Sequence, residues 1–354
     1  MTNTSTAKIR ILIVDDSASM RMLIRSVLTE DPGIEVVGIA ADGIEAVEKA
    51  QSLKPDIITM DVEMPRMDGI SALRQIVARK LPVKIIMIST LTEQGAKTTF
   101  EALDAGAFDF VPKSNTSGFA VEIMTKVRAS AGSRYVISPV LPAVDHAAGV
   151  KAPETRSSAF GKIKISAVGI GASTGGPVAV QEVLSKIPAD FPHGILVAIH
   201  MPKAFTGTYS ERLNSKCALQ VREAQDGDCL SPGVVLVAPG GVHTTVVRQG
   251  GKFVIKTQQT DTVPNSVFVP SIDMMLSSMA EVTGGSMLGV ILTGMGSDGF
   301  KGMQLLKEKG GATIVQDETS STIYGMPRVC IEGKVADVVL PLSQIGVEIG
   351  RTAA

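Results

Sequence analysis

The chain has 354 residues, 44% of them hydrophobic and 19% charged, with a net charge of -1. That length exceeds what one core usually serves, so two domains are expected. The composition excludes a disordered chain, and the near-zero charge excludes a bulk electrostatic grip on nucleic acid.

The first predicted element is "IRILIVDD" (9–16), a short apolar run ending in two acids. Met20, Leu23, Ile24, Val27 and Leu28 follow at helical spacing. The alternation repeats in "DIITMD" (56–61), "VKIIMIST" (83–90) and "FDFVPK" (108–113), each followed by a helical pattern. Buried strands alternating with helices imply a doubly wound parallel sheet over residues 1–128. From 129 to 160 the periodicity stops, and "SPVLPAVDHAAGVKAPETRSSA" has the composition of a linker.

A second α/β series is expected over 161–354. Its strands are "KISAVGIG" (164–171), "ILVAIH" (195–200), "VVLVAP" (234–239), "GVILTG" (289–294), "ATIVQD" (312–317) and "VVLPL" (338–342). "HTTVVRQGGKFVIKT" reads as a β-hairpin around Gly250-Gly251. The second half is therefore also mainly parallel, with one antiparallel excursion. The start "MTNTSTAKIRIL" lacks a signal-peptide core, and no apolar run nears the ~18 residues that cross a bilayer. Cys217, Cys229 and Cys330 show neither CxxC pairing nor metal-ligand spacing and read as reduced thiols. A cytoplasmic protein without membrane insertion is expected.

In an open parallel sheet, sites form beyond the carboxyl ends of the strands. Asp15 and Asp16, Asp61, Ser89 with Thr90, and Lys113 occupy those ends in the first half. Converging carboxylates repel one another unless a cation intervenes, and such an oxygen-rich site suits Mg2+. One carboxylate can then attack phosphorus while Lys113 holds the phosphoryl oxygens. Solvated loop charges are the bland alternative, but all four strand ends carry chemistry.

"VDDS", "MDVEMPRMDG", "IST" and "DFVPK" closely resemble the receiver domain of bacterial response regulators, a flavodoxin-like fold, over about residues 8 to 128. The resemblance implies phosphorylation of Asp61 by a histidine kinase, with Mg2+ on Asp61 and on Asp15 or Asp16. Ser89 would be the switch hydroxyl, Phe110 the switch aromatic and Lys113 the paired lysine. Ser114 stands where receivers usually carry proline, which puts the rigidity of Lys113 in doubt.

In the second half "AVGIGASTGGP" (167–177) crowds glycines around Ser173 and Thr174. A dinucleotide site would need glycine where Thr174 stands and an acid closing the next strand. A P-loop would need a lysine. Gly171-Ala-Ser173-Thr-Gly175 instead satisfies G-x-S-x-G at a strand-to-helix turn. A serine needs a base. Of the four histidines, His146 lies in the linker and His193 precedes a strand. His200 closes the strand after Ser173 and is preferred; His243, placed in a loop, is second. Asp298 in "LTGMGSDGFKG" is the preferred orienting acid and Asp317 the competitor.

The order Ser, His, Asp differs from the α/β-hydrolase order. With "IHMP", "APGG", "ILTGMGSDG" and "QDETSSTIYGMP", residues 161 to 352 resemble the catalytic domain of the chemotaxis protein-glutamate methylesterases, the CheB family. The resemblance implies a Rossmann-like domain that hydrolyses glutamyl methyl esters on methyl-accepting chemoreceptors and deamidates certain of their glutamines. Ser173 would be the nucleophile, His200 the base and Asp298 the orienting acid, with backbone N–H groups of Thr174 and Met295 as oxyanion donors. No cofactor serves the esterase step. Control is expected to be steric, the receiver covering the triad until Asp61 is phosphorylated. The rival class is a response regulator whose second half binds DNA or a partner. Residues 161–354 hold 16 Lys+Arg and 16 Asp+Glu, and no helix-turn-helix follows the linker, which argues against DNA.

Overall fold

Short hydrophobic strands lie between amphipathic helices along both halves of the chain, and each half closes on its own sheet. The computed structural model describes residues 8–113, 117–133, 160, 163–259 and 268–353. These form two compact units, divided within the undescribed stretch 134–159.

The first unit runs β1 (Ile9–Val14), α1 (Ala18–Thr29), β2 (Ile34–Ala40), α2 (Gly43–Leu53), β3 (Ile57–Asp61) and α3 (Gly69–Ala78). It continues through β4 (Lys84–Ser89), α4 (Glu93–Asp104), β5 (Asp109–Pro112) and α5 (Ser117–Gly132). The sheet is parallel, in the order β2-β1-β3-β4-β5. Ile11, Ile13, Ile58, Ile86 and Ile88 are fully enclosed, as expected for strands covered on both faces. Side-chain oxygens of Ser17, Asp42, Asp68 and Thr92 cap the free amides of α1 to α4, so each helix starts where its strand's loop ends.

Two details depart from the sequence reading. β2 was not among the expected strands: it is the sheet edge, and its partly exposed middle blurs the apolar run. Helix α5 continues past Arg128 to Gly132, so the periodic part of the unit reaches into the stretch assigned to the linker. Most of that linker, and Ser114, lie outside the described residues.

The second unit runs β6 (Ala167–Ala172), α6 (Gly176–Leu184), β7 (Gly194–Ile199), α7 (Lys203–Lys216), β8 (Gln220–Glu223) and β9 (Val234–Val237). Then come β10 (Val242–Gln249), β11 (Lys252–Gln259), α8 (Ile272–Thr283), β12 (Leu288–Ile291) and α9 (Phe300–Glu308). The unit ends with β13 (Ala312–Gln316), α10 (Met326–Glu332), β14 (Val338–Leu340) and α11 (Leu342–Arg351). Seven parallel strands stand in the order β14-β13-β12-β6-β7-β9-β8. The chain winds outward from β6 through β7 in one direction and later from β12 in the other. Strand order therefore reverses between β6 and β12, the position where open α/β sheets leave a crevice.

The hairpin forms as expected, β10 antiparallel to β11 around Gly250 and Gly251, both at positive φ. It packs on α8: Val246 and Ile255 join Met275, Leu276 and Met279 in one buried cluster, and Ser278 Oγ accepts the Val246 amide at 2.9 Å. β8 was not anticipated; it is a short edge strand. β6 begins at Ala167 rather than at Lys164.

Candidate active site and phosphoacceptor site

Gly169 and Gly171 sit on the face of β6 that receives α8. A β-carbon on Gly169 would lie 2.6 Å from Leu276 Cδ2, and one on Gly171 would lie 2.4 Å from Ile272 Cγ2. These glycines admit a helix, not a phosphate. Beyond them the chain turns sharply: Gly175 adopts φ +74 as the N-cap of α6, with Pro177 in the helix's first turn. The turn is tied down by the Ser173 amide donating to Thr293 O at 3.0 Å and by Thr293 Oγ1 donating to Thr174 O at 3.0 Å. Ser173 is left half-exposed at the mouth of the switch-point crevice.

His200 follows β7, the strand beside β6, and its amide donates to Ala172 O at 3.3 Å. Its Nδ1 stands 3.1 Å from Ser173 Oγ and its Nε2 stands 2.8 Å from Asp298 Oδ2. Asp298, beyond β12 on the other side of β6, is buried and thoroughly hydrogen-bonded. Its Oδ2 also accepts the Ile272 amide at 2.8 Å, and its Oδ1 accepts the amides of Asp273 at 2.9 Å and Gly299 at 3.1 Å. Ser271 Oγ donates to Oδ1 as well, at 3.2 Å. The carboxylate thus lies on the first turn of α8, where unsatisfied amides favour negative charge. Burial pushes the Asp298 carboxyl up, but His200 and the Ile272 and Asp273 amides outweigh it and hold the pKa below the ordinary aspartate value. With an ionised acceptor at Nε2, that nitrogen carries the imidazole proton, and the Nδ1 lone pair faces the serine.

The alternatives separate cleanly. His243 lies within β10, not in a loop, and its Nδ1 meets the Ser271 amide at 3.2 Å rather than Ser173. Asp317 closes its own loop, accepting from Ser320 N at 3.0 Å and Thr319 Oγ1 at 2.6 Å. His193 packs edge-on against Phe191, and His146 lies outside the described residues. Among the described residues, the Thr174 and Met295 amides make no hydrogen bond; Thr174 follows Ser173 directly, and Met295 follows Gly294, which packs against Ser173.

In the first unit, carboxylate oxygens of Asp15, Asp16 and Asp61 lie within 4.8 Å of one another. Lys113 Nζ lies 2.7 Å from Asp61 Oδ2 and 3.1 Å from Asp15 Oδ2. Burial pushes the Asp61 carboxyl up to about 6, Lys113 opposing and Asp15 adding to the rise. Burial disfavours the Lys113 ammonium, yet Asp61 and Asp15 outweigh it and raise its pKa. Asp15 Oδ2 is buried and accepts no well-aligned hydrogen bond, so this donor set fits a hard cation. Ser89 and Phe110 turn away toward α4: Ser89 Oγ donates to Gly95 O at 3.0 Å, and the Phe110 ring meets Phe100 edge-on at 6.4 Å.

Residues 168–349 match the model of the family described as CheB methylesterase, and residues 11–124 match the response regulator receiver domain. The chain belongs to the CheB methylesterase family. A protein-glutamate methylesterase/protein-glutamine glutaminase 1 of Geobacter sulfurreducens is 59% identical over 99% of both chains. A second such protein, numbered 5, from Geobacter metallireducens is 59% identical over 98% of both. The crystal structure of the Thermotoga maritima CheB methylesterase catalytic domain matches with a TM-score of 0.50 and 38% identity. That match covers 53% of this chain and 98% of the Thermotoga chain.

In this CheB-family chain three site neighbours went unnoticed in the sequence. Phe268 stacks flat on the His200 ring, centroids 4.3 Å apart and planes 3° from parallel. Ser271 and Gln316 are the others; Gln316 Oε1 accepts the Thr293 amide at 2.7 Å and so steadies the serine turn. "PSID" before a helical run is a readable capping signal for Ser271. Phe268 carried no signal, because an isolated aromatic in a loop has no periodicity to betray it. Cys217, Cys229 and Cys330 are unpaired, and burial pushes the Cys217 and Cys330 thiols up to about 12. Among the described residues, no helix is long and apolar enough to cross a membrane.

Proposed function

We propose that this chain is a phosphorylation-activated serine hydrolase that removes γ-methyl esters from glutamyl residues of methyl-accepting chemoreceptors and deamidates receptor glutamines. The continuous chain Ser173 Oγ, His200 Nδ1, His200 Nε2, Asp298 Oδ2, at 3.1 Å and 2.8 Å, carries the reading. The names of the full-length relatives, protein-glutamate methylesterase/protein-glutamine glutaminase, support the protein-borne glutamyl ester and glutamine side chain as the reacting groups.

His200 Nδ1 takes the Ser173 proton as Oγ bonds to the γ-carbonyl carbon. Asp298 holds the ring and stabilises the imidazolium that forms. The carbonyl oxygen gains charge between the Thr174 and Met295 amides; one such donor contributes about 3–4 kcal/mol in related chemistry. Nδ1 then protonates the departing methoxy or amino group, and methanol or ammonia leaves. A water gives its proton to Nδ1 and attacks the acyl carbon, and the serine departs with that proton.

In the receiver unit, Asp61 is the phosphoacceptor and a histidine kinase the phosphodonor. Asp15, Asp16 and Asp61 would hold Mg2+, which when bound neutralises charge on the incoming phosphoryl group. Lys113 pairs with the phosphoryl oxygens, and Ser89 and Phe110 carry the change toward α4. The protein acts in the cytoplasm, on the receptors' cytoplasmic segments.

Methanol release from methylated chemoreceptors, with and without acetyl phosphate, tests the whole reading. Wild-type release should rise with the phosphodonor, and Ser173→Ala should lose about 10³-fold or more. Turnover unchanged in Ser173→Ala would remove the nucleophile. A serine-directed fluorophosphonate should label Ser173, whereas a purely binding output domain would stay unlabelled.

A further inference from the structure

His243 presents a puzzle of burial. Its side chain is wholly enclosed, yet Nε2 has no hydrogen-bond partner among the described residues. Burying an imidazole with one bare polar atom is worse than burying an apolar side chain of similar size, so the position calls for an explanation. Its other nitrogen supplies one. Nδ1 accepts the Ser271 amide at 3.2 Å, which leaves Nδ1 unprotonated and fixes the ring as the neutral Nε2–H tautomer.

Ser271 is the N-cap of α8, and each of its polar atoms is committed. Its Oγ accepts the Met274 amide at 3.3 Å and spends its single proton on Asp298 Oδ1 at 3.2 Å. The two residues that follow, Ile272 and Asp273, donate their amides to the same carboxylate at 2.8 Å and 2.9 Å. Wherever Ser271 sits, these three donors go, and Asp298 with them. Among the described residues, only His243 holds the Ser271 amide from behind, and it does so from β10 of the hairpin, outside the main sheet.

We propose that His243 is a positioning residue for the esterase reaction, fixing Ser271 so that the first turn of α8 aligns Asp298 with His200. The hydrogen-bonded line then runs His243, Ser271, Asp298, His200, Ser173. His243 touches no substrate and moves no proton; it acts only as an acceptor. The proposal rests on the triad assigned above.

The test uses the full chain activated by acetyl phosphate and compares His243→Asn, His243→Gln and His243→Leu. Asparagine Oδ1 stands near the place of Nδ1 and can accept the Ser271 amide. Glutamine reaches toward the Nε2 position, and leucine accepts nothing. Asn should keep kcat within about threefold, while Gln and Leu should lose about tenfold to a hundredfold at unchanged KM, the scale of a small misplacement in a catalytic group. The fluorophosphonate labelling rate at Ser173 should fall in step with kcat. Ser271→Ala combined with His243→Gln should be no worse than the poorer single variant, because both act through one carboxylate. If Leu fails to fold, the Asn and Gln pair decides.

Equal kcat in all variants, or equal losses in Asn and Gln, overturns the proposal. So does a loss of turnover with an unchanged labelling rate. Turnover that survives Ser173→Ala instead removes the triad itself, a separable outcome.

Discussion

His200 offers Nδ1 to the serine and Nε2 to the acid, the reverse of the arrangement in chymotrypsin-type triads. The chemistry is unaltered, since either nitrogen serves as base once the other is held protonated. The demand on the acid is unaltered too. Asp298→Asn would present an amide that can donate to Nε2 and stabilise the wrong tautomer; kcat should fall about 10⁴-fold with little change in KM. The same carboxyl has a stability signature. Its folded pKa lies below the ordinary 3.8, so it stabilises the native state above that value and the contribution is lost as pH falls through the lower folded pKa. Denaturation profiles taken below pH 4 should therefore be less steep in pH for Asp298→Asn than for wild type. Ser173, His200 and Asp298 were legible in the sequence because each closes or follows a strand, and strand ends are where such sheets work. Phe268 was not, because it sits in a loop; His243 was read as a second candidate base, but it lies on β10 and meets the Ser271 amide rather than Ser173.

At the scale of elements, the glycine-rich stretch is a packing device as much as a turn. Gly171→Ala would press a methyl against Ile272, the first residue of α8, whose amide holds Asp298. Overpacking of this kind costs about 1–3 kcal/mol. Chemical denaturation should show that loss, and kcat should fall by more than stability alone explains because the acid moves. Gly294→Ala is a sharper probe: its β-carbon would lie 2.9 Å from Ser173 Cβ and 2.3 Å from Met326 Sδ, so labelling of Ser173 should slow markedly. The strands that build both sites were legible as uninterrupted apolar runs. β2 and β8 were not, since exposed and polar positions interrupt their apolar residues and break the continuous signature.

For the whole molecule, the chain unites a phosphoacceptor unit and a hydrolytic unit, and regulation is the claim that one informs the other. Asp61→Asn should hold methanol release at its unphosphorylated level whether or not acetyl phosphate is present. Chelating Mg2+ with EDTA should abolish the phosphodonor response in wild type while leaving basal release intact. Full activation of Asp61→Asn by the phosphodonor would sever that link.

The reversal of strand order between β6 and β12 has one more effect, on timing. Ser173 and His200 emerge from the ribosome close together, but Asp298 follows a strand made much later and slotted in beside β6. A half-synthesised chain therefore carries an exposed serine and histidine with nothing to orient them. Hydrolytic power arrives only when β12 inserts, so truncated or stalled products should be inert toward esters rather than constitutively active.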